Sequence, residues 1–573
     1  MVEPASAPPV AARLFDSPAL RQLLLAMVAS LGYLMVGLVR GFSSPGVPSM
    51  RQRDPHLLEA PGAVSWISSI PPLGACVGSL VAGPLLQRAG RRRTLLLSAP
   101  LALGSWVALA LAQSYGALLT ARILTGFCAG LVIPSAQVYV SECARPSARG
   151  VLGSLPALFM SAGILLGYVV GALVPWRWLA GASALCPAAL LALLLPLPES
   201  PSWLSARGRT RDAEAALSWL KRPPLTPAPH ALPLAPLQGG AAAEKGGAAG
   251  GAGTAGGGVT LQGLLQRSVL VPFGLSLALM VFQQLSGIDA VVFYTVEIFE
   301  AAGGGVPEHV AAAAVGAVQL AANGVALLAV DRAGRRPLLL ASSAVSAVAM
   351  AALGAYFYLL EHGRAEGLGA LPLASLIVFM VGFSVGLCTL PYLMMSEMLP
   401  AVQRGVLSSA AGSFNLAVMF LVIKTFHDLS GALGEAGAFW VYASLCVASC
   451  VFVLVCVPET KGRSLEEIQA HFERRHVAAD GDHRTEAAAL EKGLVLEKAP
   501  ALEKAPALEK APALESAPAS APDQYERTAA EDGNDTARAR KDDAAKSEDE
   551  KPEDTEQKGR EENHVDSEHR TET

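Results

Sequence analysis

The sequence predicts an all-α integral membrane protein, with twelve transmembrane helices in two pseudo-symmetric six-helix bundles. Three observations predict it. Apolar residues fall into twelve runs of bilayer-spanning length. Arginines gather in alternate loops between those runs. The two halves of the chain carry the same short motifs in the same order.

Of the 573 residues, 52% are hydrophobic and 16% charged, and the mean hydropathy is +0.40. A soluble chain carries nearer about a quarter charged residues. A helix needs about 20 mostly apolar residues to cross the bilayer core. Runs that satisfy this lie at 22–42, 61–86, 94–112, 116–140, 150–174, 176–196, 269–301, 308–330, 337–360, 372–396, 404–427 and 437–457. Many contain Gly, Ala and Ser, which let helices approach closely in lipid. The residues before the first run lack a basic stretch, and no small-residue cleavage signal follows Phe42, so this run reads as a retained helix.

Arg88, Arg91, Arg92 and Arg93 follow the second run, Arg145 and Arg149 the fourth, and Arg207, Arg209 and Arg211 the sixth. Arg332, Arg335 and Arg336 follow the eighth, and Arg404 precedes the eleventh. These loops share one side, expected to be cytoplasmic, whereas the opposite loops carry chiefly Arg51, Arg53, Arg177 and Arg364. An even number of crossings puts both termini on the cytoplasmic side.

The expected organisation is a cytoplasmic segment at 1–21, a first bundle at 22–200, a cytoplasmic linker at 201–268, a second bundle at 269–457 and a cytoplasmic tail at 458–573. The linker contains QGGAAAEKGGAAGGAGTAGGG, which cannot bury enough surface to fold. The tail repeats ALEKAP and then becomes a run of Asp, Glu, Lys and Arg, a disordered composition. Its Asn534 sequon lies on the cytoplasmic side, where glycosylation does not reach. The net charge of −5 comes largely from this tail and argues against nucleic acid as a partner. The eight cysteines form no CxxC pair and sit in or beside apolar runs, pointing to small buried residues rather than disulfides or a metal site. No nucleophile–base constellation suggests an enzyme, no cofactor is implied, and the oligomeric state is left open.

The internal repeat carries the chemistry. AGRRRTLLL at 89–97 answers AGRRPLLL at 333–340; VSECARPSARGVLGS at 140–154 answers MSEMLPAVQRGVLSS at 395–409; PESPSWL at 198–204 answers PETKGRSL at 458–465. Each half thereby sets Arg and Glu at the same helix ends: Arg91, Arg92, Glu142, Arg149 and Glu199 in the first, Arg335, Arg336, Glu397, Arg404 and Glu459 in the second. Positive-inside topology explains the arginines but not the recurring glutamates. The expectation is a cytoplasmic charge latch that holds one conformation and breaks in another.

With FQQLSGIDAVVFYT at 282–295, DRAGRR at 331–336 and the PES/PET motifs, residues from about 22 to 475 resemble the sugar-porter branch of the major facilitator superfamily. GFSSPGVPSM at 41–50 and GILLGY at 163–168 look closest to insect trehalose transporters and intracellular-type facilitative glucose transporters. The resemblance implies alternating access around a central sugar site, with trehalose or a hexose such as glucose as substrate and the bilayer as surroundings. It implies sugar contacts from Gln283, Gln284, Gln319 and Asn415, with Asp289, Tyr392 and Tyr168 at further substrate positions. Asp289 stands where the family has Asn, Tyr392 and Leu416 where it has Trp. Symporters of the family carry a helix-1 carboxylate near Arg122; here that position is Val39, which favours uniport over proton coupling. A non-transporting sugar sensor is a third reading. The expected home is the plasma membrane, with an endolysosomal membrane as the alternative.

Arg40 and Asp289 are ionisable residues inside the first and seventh runs. At about 1.5 Å per residue they lie roughly 27 and 30 Å from the inner ends of their helices. Matching depth near the outer face suggests an ion pair that helps close an outer gate.

Overall fold

The computed structural model describes residues 17–145, 148–220, 266–400, 403–461 and 467, without the side chains at 267–268 and 327–333. The Gly/Ala-rich linker, the ALEKAP repeat, the acidic tail and Asn534 lie outside the described residues.

Helix α1 spans Pro18–Gly41 and, past Phe42, an extension over Ser43–Arg53 carries it beyond the expected end at 42. Ser17 starts it: its hydroxyl accepts the Leu20 N–H at 3.1 Å, and Pro18 takes a first-turn position whose missing N–H costs nothing. Then come α2 (Ala63–Ala89), α3 (Arg91–Ala110), α4 (Tyr115–Cys143), α5 (Arg149–Leu173) and α6 (Trp176–Leu194). Two short helices, Pro201–Ala206 and Thr210–Trp219, order the first part of the expected linker.

The second half repeats the plan. Helix α7 runs through Arg267–Leu285 and, after a break at Ser286 and Gly287, through Ile288–Ala302. Helices α8 (Glu308–Ala333) and α9 (Arg335–Glu361) follow, and α10 is broken into Leu371–Val385 and Leu390–Met398. The last stretch, Arg404–Cys456, is 53 residues of helix bent at Gly434. It is about 80 Å long, too long for one crossing of a core about 30 Å thick, so it forms α11 and α12 on either side of that bend. The described residues thus hold twelve crossings.

Each bundle has its own core. Trp106, Tyr139 and Trp176 are buried in the first, and Phe379, Phe439 and Tyr356 in the second. The outer surface is apolar, with Leu111, Leu173, Leu185, Val348 and Val455 mostly exposed, as a lipid-facing surface requires. Within the first bundle, small residues set the spacing: a Cβ added at Gly37 of α1 would lie 2.0 Å from the Met160 carbonyl of α5.

The two AGRR motifs fold alike. Gly90 and Gly334 turn the chain between consecutive helices with φ of +100° and +93°, a conformation that disfavours any side chain. A Cβ on them would meet the carboxylates of Glu199 at 2.7 Å and Glu459 at 3.2 Å. These turns seat the charge networks described next.

Among the described residues, the hydrogen bonds and ion pairs that join the bundles lie from mid-depth toward the arginine-poor face. The Tyr168 hydroxyl donates to the Val292 carbonyl at 2.6 Å, Ser65 to the Lys424 carbonyl at 2.8 Å, and the Val296 N–H to Ser44 at 3.0 Å. Asn323 donates to Ser161 at 2.6 Å, and Arg51 faces Glu297 at 3.5 Å. This seam closes that end.

Candidate functional site

Gln283 and Gln284 lie in the last turn of the first part of α7, and both are nearly buried. Gln283 Nε2 donates to the Leu387 carbonyl at 2.8 Å, in the corresponding break of α10. Asn415 of α11 donates to Gln283 Oε1 at 3.0 Å and accepts from Gln284 at 3.2 Å. Its Oδ1 also accepts the Tyr392 hydroxyl at 2.9 Å. Four of the sequence-derived substrate residues therefore form one connected polar cluster. The three amides are nearly buried, whereas Tyr392 is 42% exposed. Broken helices suit such a site because they free carbonyls near the midplane, and each must be satisfied by a polar side chain.

Asp289 opens the second part of α7 and is fully buried; its Oδ1 accepts from Arg40 Nη2. Asp289 Oδ2 and Arg40 Nε have no hydrogen-bond partner among the described residues. Tyr168 is placed differently: its hydroxyl is held by the α7 backbone and by Thr295 at 3.1 Å, in the seam between the bundles. Gln319 on α8 is nearly buried, its Oε1 without a partner among the described residues.

Arg122 on α4 is fully buried. Its three donor groups go to the carbonyls of Ile67 at 3.2 Å and Val39 at 3.3 Å and to the Ser43 hydroxyl at 2.5 Å. Its guanidinium also lies over the Phe42 ring, 5.0 Å from the centroid.

At the arginine-rich face the repeat becomes two matching knots. Glu199 accepts the backbone N–H groups of Arg91 and Arg92, both at 2.8 Å, and so caps the first turn of α3. Glu459 does the same for α9, accepting from Arg335 at 3.1 Å and Arg336 at 2.9 Å. A carboxylate here fills orphan donors and faces the positive end of the helix. Burial pushes the Glu459 carboxyl up, but the N–H groups of Lys461, Arg335 and Arg336 outweigh it and hold it below the usual carboxylate range. Arg92 donates to the carbonyls of Leu194 and Leu195 at the end of α6, and Arg336 to those of Val453 and Leu454 at the end of α12.

Arg91 pairs with Glu142 at 2.7 Å and Arg335 with Glu397 at 3.2 Å. Ser200 donates to Glu142, and Thr460 to Glu397 at 2.6 Å. These bonds each stay inside one bundle. Arg149 is exposed, and Arg404 donates to the Leu399 carbonyl at 3.0 Å.

The sequence reading did not single out Ser200 and Thr460, although the hydroxyl recurs after both glutamates in PES and PET. It also passed over Glu297, Lys424 and His427, whose signal was an ionisable residue inside or at the end of an apolar run.

The family described as "Sugar (and other) transporter" matches residues 25–472. The facilitated trehalose transporter Tret1 of Drosophila yakuba is 40% identical over 452 residues, 78% of this chain and 51% of its own. The chain thus spans about half the length of the Drosophila relatives it matches. The Tret1 of Apis mellifera ligustica is 37% identical over 79% of this chain and 88% of its own. Among solved structures, the proton:xylose symporter XylE bound to 6-bromo-6-deoxy-D-glucose superposes with a TM-score of 0.61 at 23% identity, covering 80% of this chain and all of that one. An inward open conformation of XylE from E. coli gives 0.60 at 22% identity, with 78% and 98% covered. A family match over most of the chain and twelve crossings in the same arrangement lead to one conclusion: this is a multi-pass membrane protein of the major facilitator fold, and it belongs to the sugar (and other) transporter family.

Proposed function

We propose that this protein is a facilitative transporter of trehalose or a hexose such as glucose, working by alternating access. The observation that carries the reading is the connected cluster of Gln283, Gln284, Asn415 and Tyr392 at the breaks of α7 and α10. Amides donate and accept at once, as sugar hydroxyls require. The unpartnered Asp289 Oδ2 and Arg40 Nε add an acceptor and a donor beside it. Gln319 would approach the sugar from α8. Arg122 supports uniport: its donors are satisfied by Val39 and Ile67 carbonyls and by Ser43 rather than by a carboxylate on α1.

In this reading the arginine-rich face is cytoplasmic, with the chain before α1 and after α12 on that side. The membrane is the plasma membrane, with an endolysosomal membrane as the alternative. The Arg40–Asp289 pair helps hold the outer end shut. The Glu142 and Glu397 knots shape the cytoplasmic face of each bundle for the state in which the bundles meet there.

A proton-coupled symporter is the second reading, and buried Asp289 is the observation that favours it. Uptake of labelled trehalose and glucose into proteoliposomes, with and without a pH gradient, separates the two. Uptake that persists when a protonophore collapses the gradient supports uniport. Uptake that stops with the gradient while the vesicles stay sealed overturns it, and no uptake of either sugar removes the substrate assignment.

A further inference from the structure

Beyond the sugar site, the closed seam contains a charged cluster that crosses from one bundle to the other. Arg51, on the extension of α1, points its Nη2 at Glu297 Oε1 of α7 from 3.5 Å. The other oxygen of the same carboxylate, Oε2, lies 3.5 Å from His427 Nε2 of α11. The His427 ring stacks edge-on against Tyr294, with centroids 4.6 Å apart, and rests on Phe426. Its Nε2 is itself buried and has no hydrogen-bond partner among the described residues, while the side chain as a whole is about one-third exposed.

The charges around this imidazole divide by bundle. Glu297 and Glu300 on α7, Lys424 and Asp428 on α11, and Glu435 just past the Gly434 bend all belong to the second bundle. They travel with His427 when the bundles separate. Helix α2 faces the cluster with Ser65, Trp66 and Ser68, which are uncharged. Helix α8 contributes Glu308 and His309 near Glu300, again on the same bundle. Arg51 is the cation that leaves when this end opens.

We infer that Arg51, Glu297 and His427 make the outer closure sensitive to acid, a proton on His427 favouring the open state. The reasoning is a linkage argument. In the closed seam a proton on His427 sets a second cation beside Arg51 and draws the shared carboxylate away from it, weakening the ion pair of this cluster that crosses between bundles. In the open state Arg51 has moved off and water reaches the ring, so the proton is better tolerated. With the proton on His427 the sign follows: acidification of this face shifts the protein toward opening there. The response belongs to the mildly acidic range, where histidine is the side chain that gains a proton. A difference of one unit in proton affinity changes the open-to-closed ratio by at most about tenfold.

The inference rests on the reading that the bundles separate at this end during transport, and the test distinguishes the two. Spin labels at positions 59 and 431, in a background with the native cysteines replaced, report the opening without any sugar. Purified full-length protein in nanodiscs is measured from pH 8 to 5.5 with equal pH on both sides. The expected result is a several-fold rise in the long-distance population on acidification. His427→Gln should abolish that rise, and His427→Phe, which keeps the ring packing, should do the same. Arg51→Gln should raise the open population at pH 8 and flatten the profile. A wild-type profile that does not change with pH overturns the inference. So does a His427→Phe or Arg51→Gln variant that keeps the full wild-type slope. If neither sugar is taken up while the distances still shift with pH, the functional reading fails and the acid response stands.

Discussion

Replacing Arg40 by methionine leaves the Asp289 carboxylate buried with no compensating charge. Asp289 is fully buried and Arg40 is 21% exposed. Removing one partner of a buried ion pair costs about 3–5 kcal/mol. Water that reaches Arg40 can follow into the space it vacates, so the expected loss lies near the low end, about 3 kcal/mol. Asp289→Asn removes the charge but keeps an acceptor for Arg40, and should cost less. The double variant, Arg40→Met with Asp289→Asn, leaves neither charge and should recover part of the loss. Residues in direct contact show couplings of about 0.5–3 kcal/mol. Denaturant or thermal unfolding of the four proteins in one detergent measures that coupling, and uptake measures its bearing on transport. Strictly additive losses would show that the two charges do not depend on each other. The charge swap, Arg40→Asp with Asp289→Arg, gives an independent reading: a double variant no more active than the singles also removes the pair from the gate.

Three other outcomes follow from the same geometry. Gly37→Ala forces a methyl against the Met160 carbonyl and should destabilise the first bundle by about 1–3 kcal/mol or more, seen as a lower unfolding midpoint with no change in the second bundle's labels. Glu142→Gln and Glu397→Gln each weaken a charge-assisted contact of about 1.5–3 kcal/mol and should slow uptake about tenfold while surface expression holds; wild-type rates in both would remove the knots from the transport cycle. Burial raises the Asp54 carboxyl, but hydrogen bonds from Trp176 at 2.8 Å and from Arg177 outweigh it and hold it below the usual range. Its stabilising contribution is therefore full at neutral pH and lost only as pH falls below about 3.9 and through the lowered value, so Asp54→Asn should cost stability at pH 7, and the cost should shrink as the pH falls below about 3.9.

Much of this was legible in the residues because membranes impose severe rules. A chain that must satisfy its backbone in lipid spells out each crossing as an apolar run, and arginine placement then orders the loops. The repeated glutamates were visible as a pattern, and the fold supplies their chemistry: Glu199 and Glu459 cap helix starts that the AGRR turns present to them. What stayed hidden depended on contacts between distant segments. Nothing local in GILLGY says that the Tyr168 hydroxyl is spent on the α7 backbone, 124 residues away. Nothing in the last two apolar runs says that a single non-helical residue, Gly434, separates α11 from α12 in place of a loop. Arg51, Glu297 and His427 lie in three separate stretches, each unremarkable alone, and gain meaning only where the bundles touch.

Three of the bonds across the seam use the main chain on one side. Tyr168 and Ser65 donate to main-chain carbonyls, and Ser44 receives a main-chain N–H. Every amino acid supplies a main-chain carbonyl, and every one but proline an N–H, so half of each contact survives most substitutions on its side. In the proposed reading, closure is thus written partly in the peptide backbone, and substrate choice in amides and hydroxyls at the helix breaks. A lineage can rewrite the second, as the changes at Tyr392 and Asp289 illustrate, while the first continues to be read.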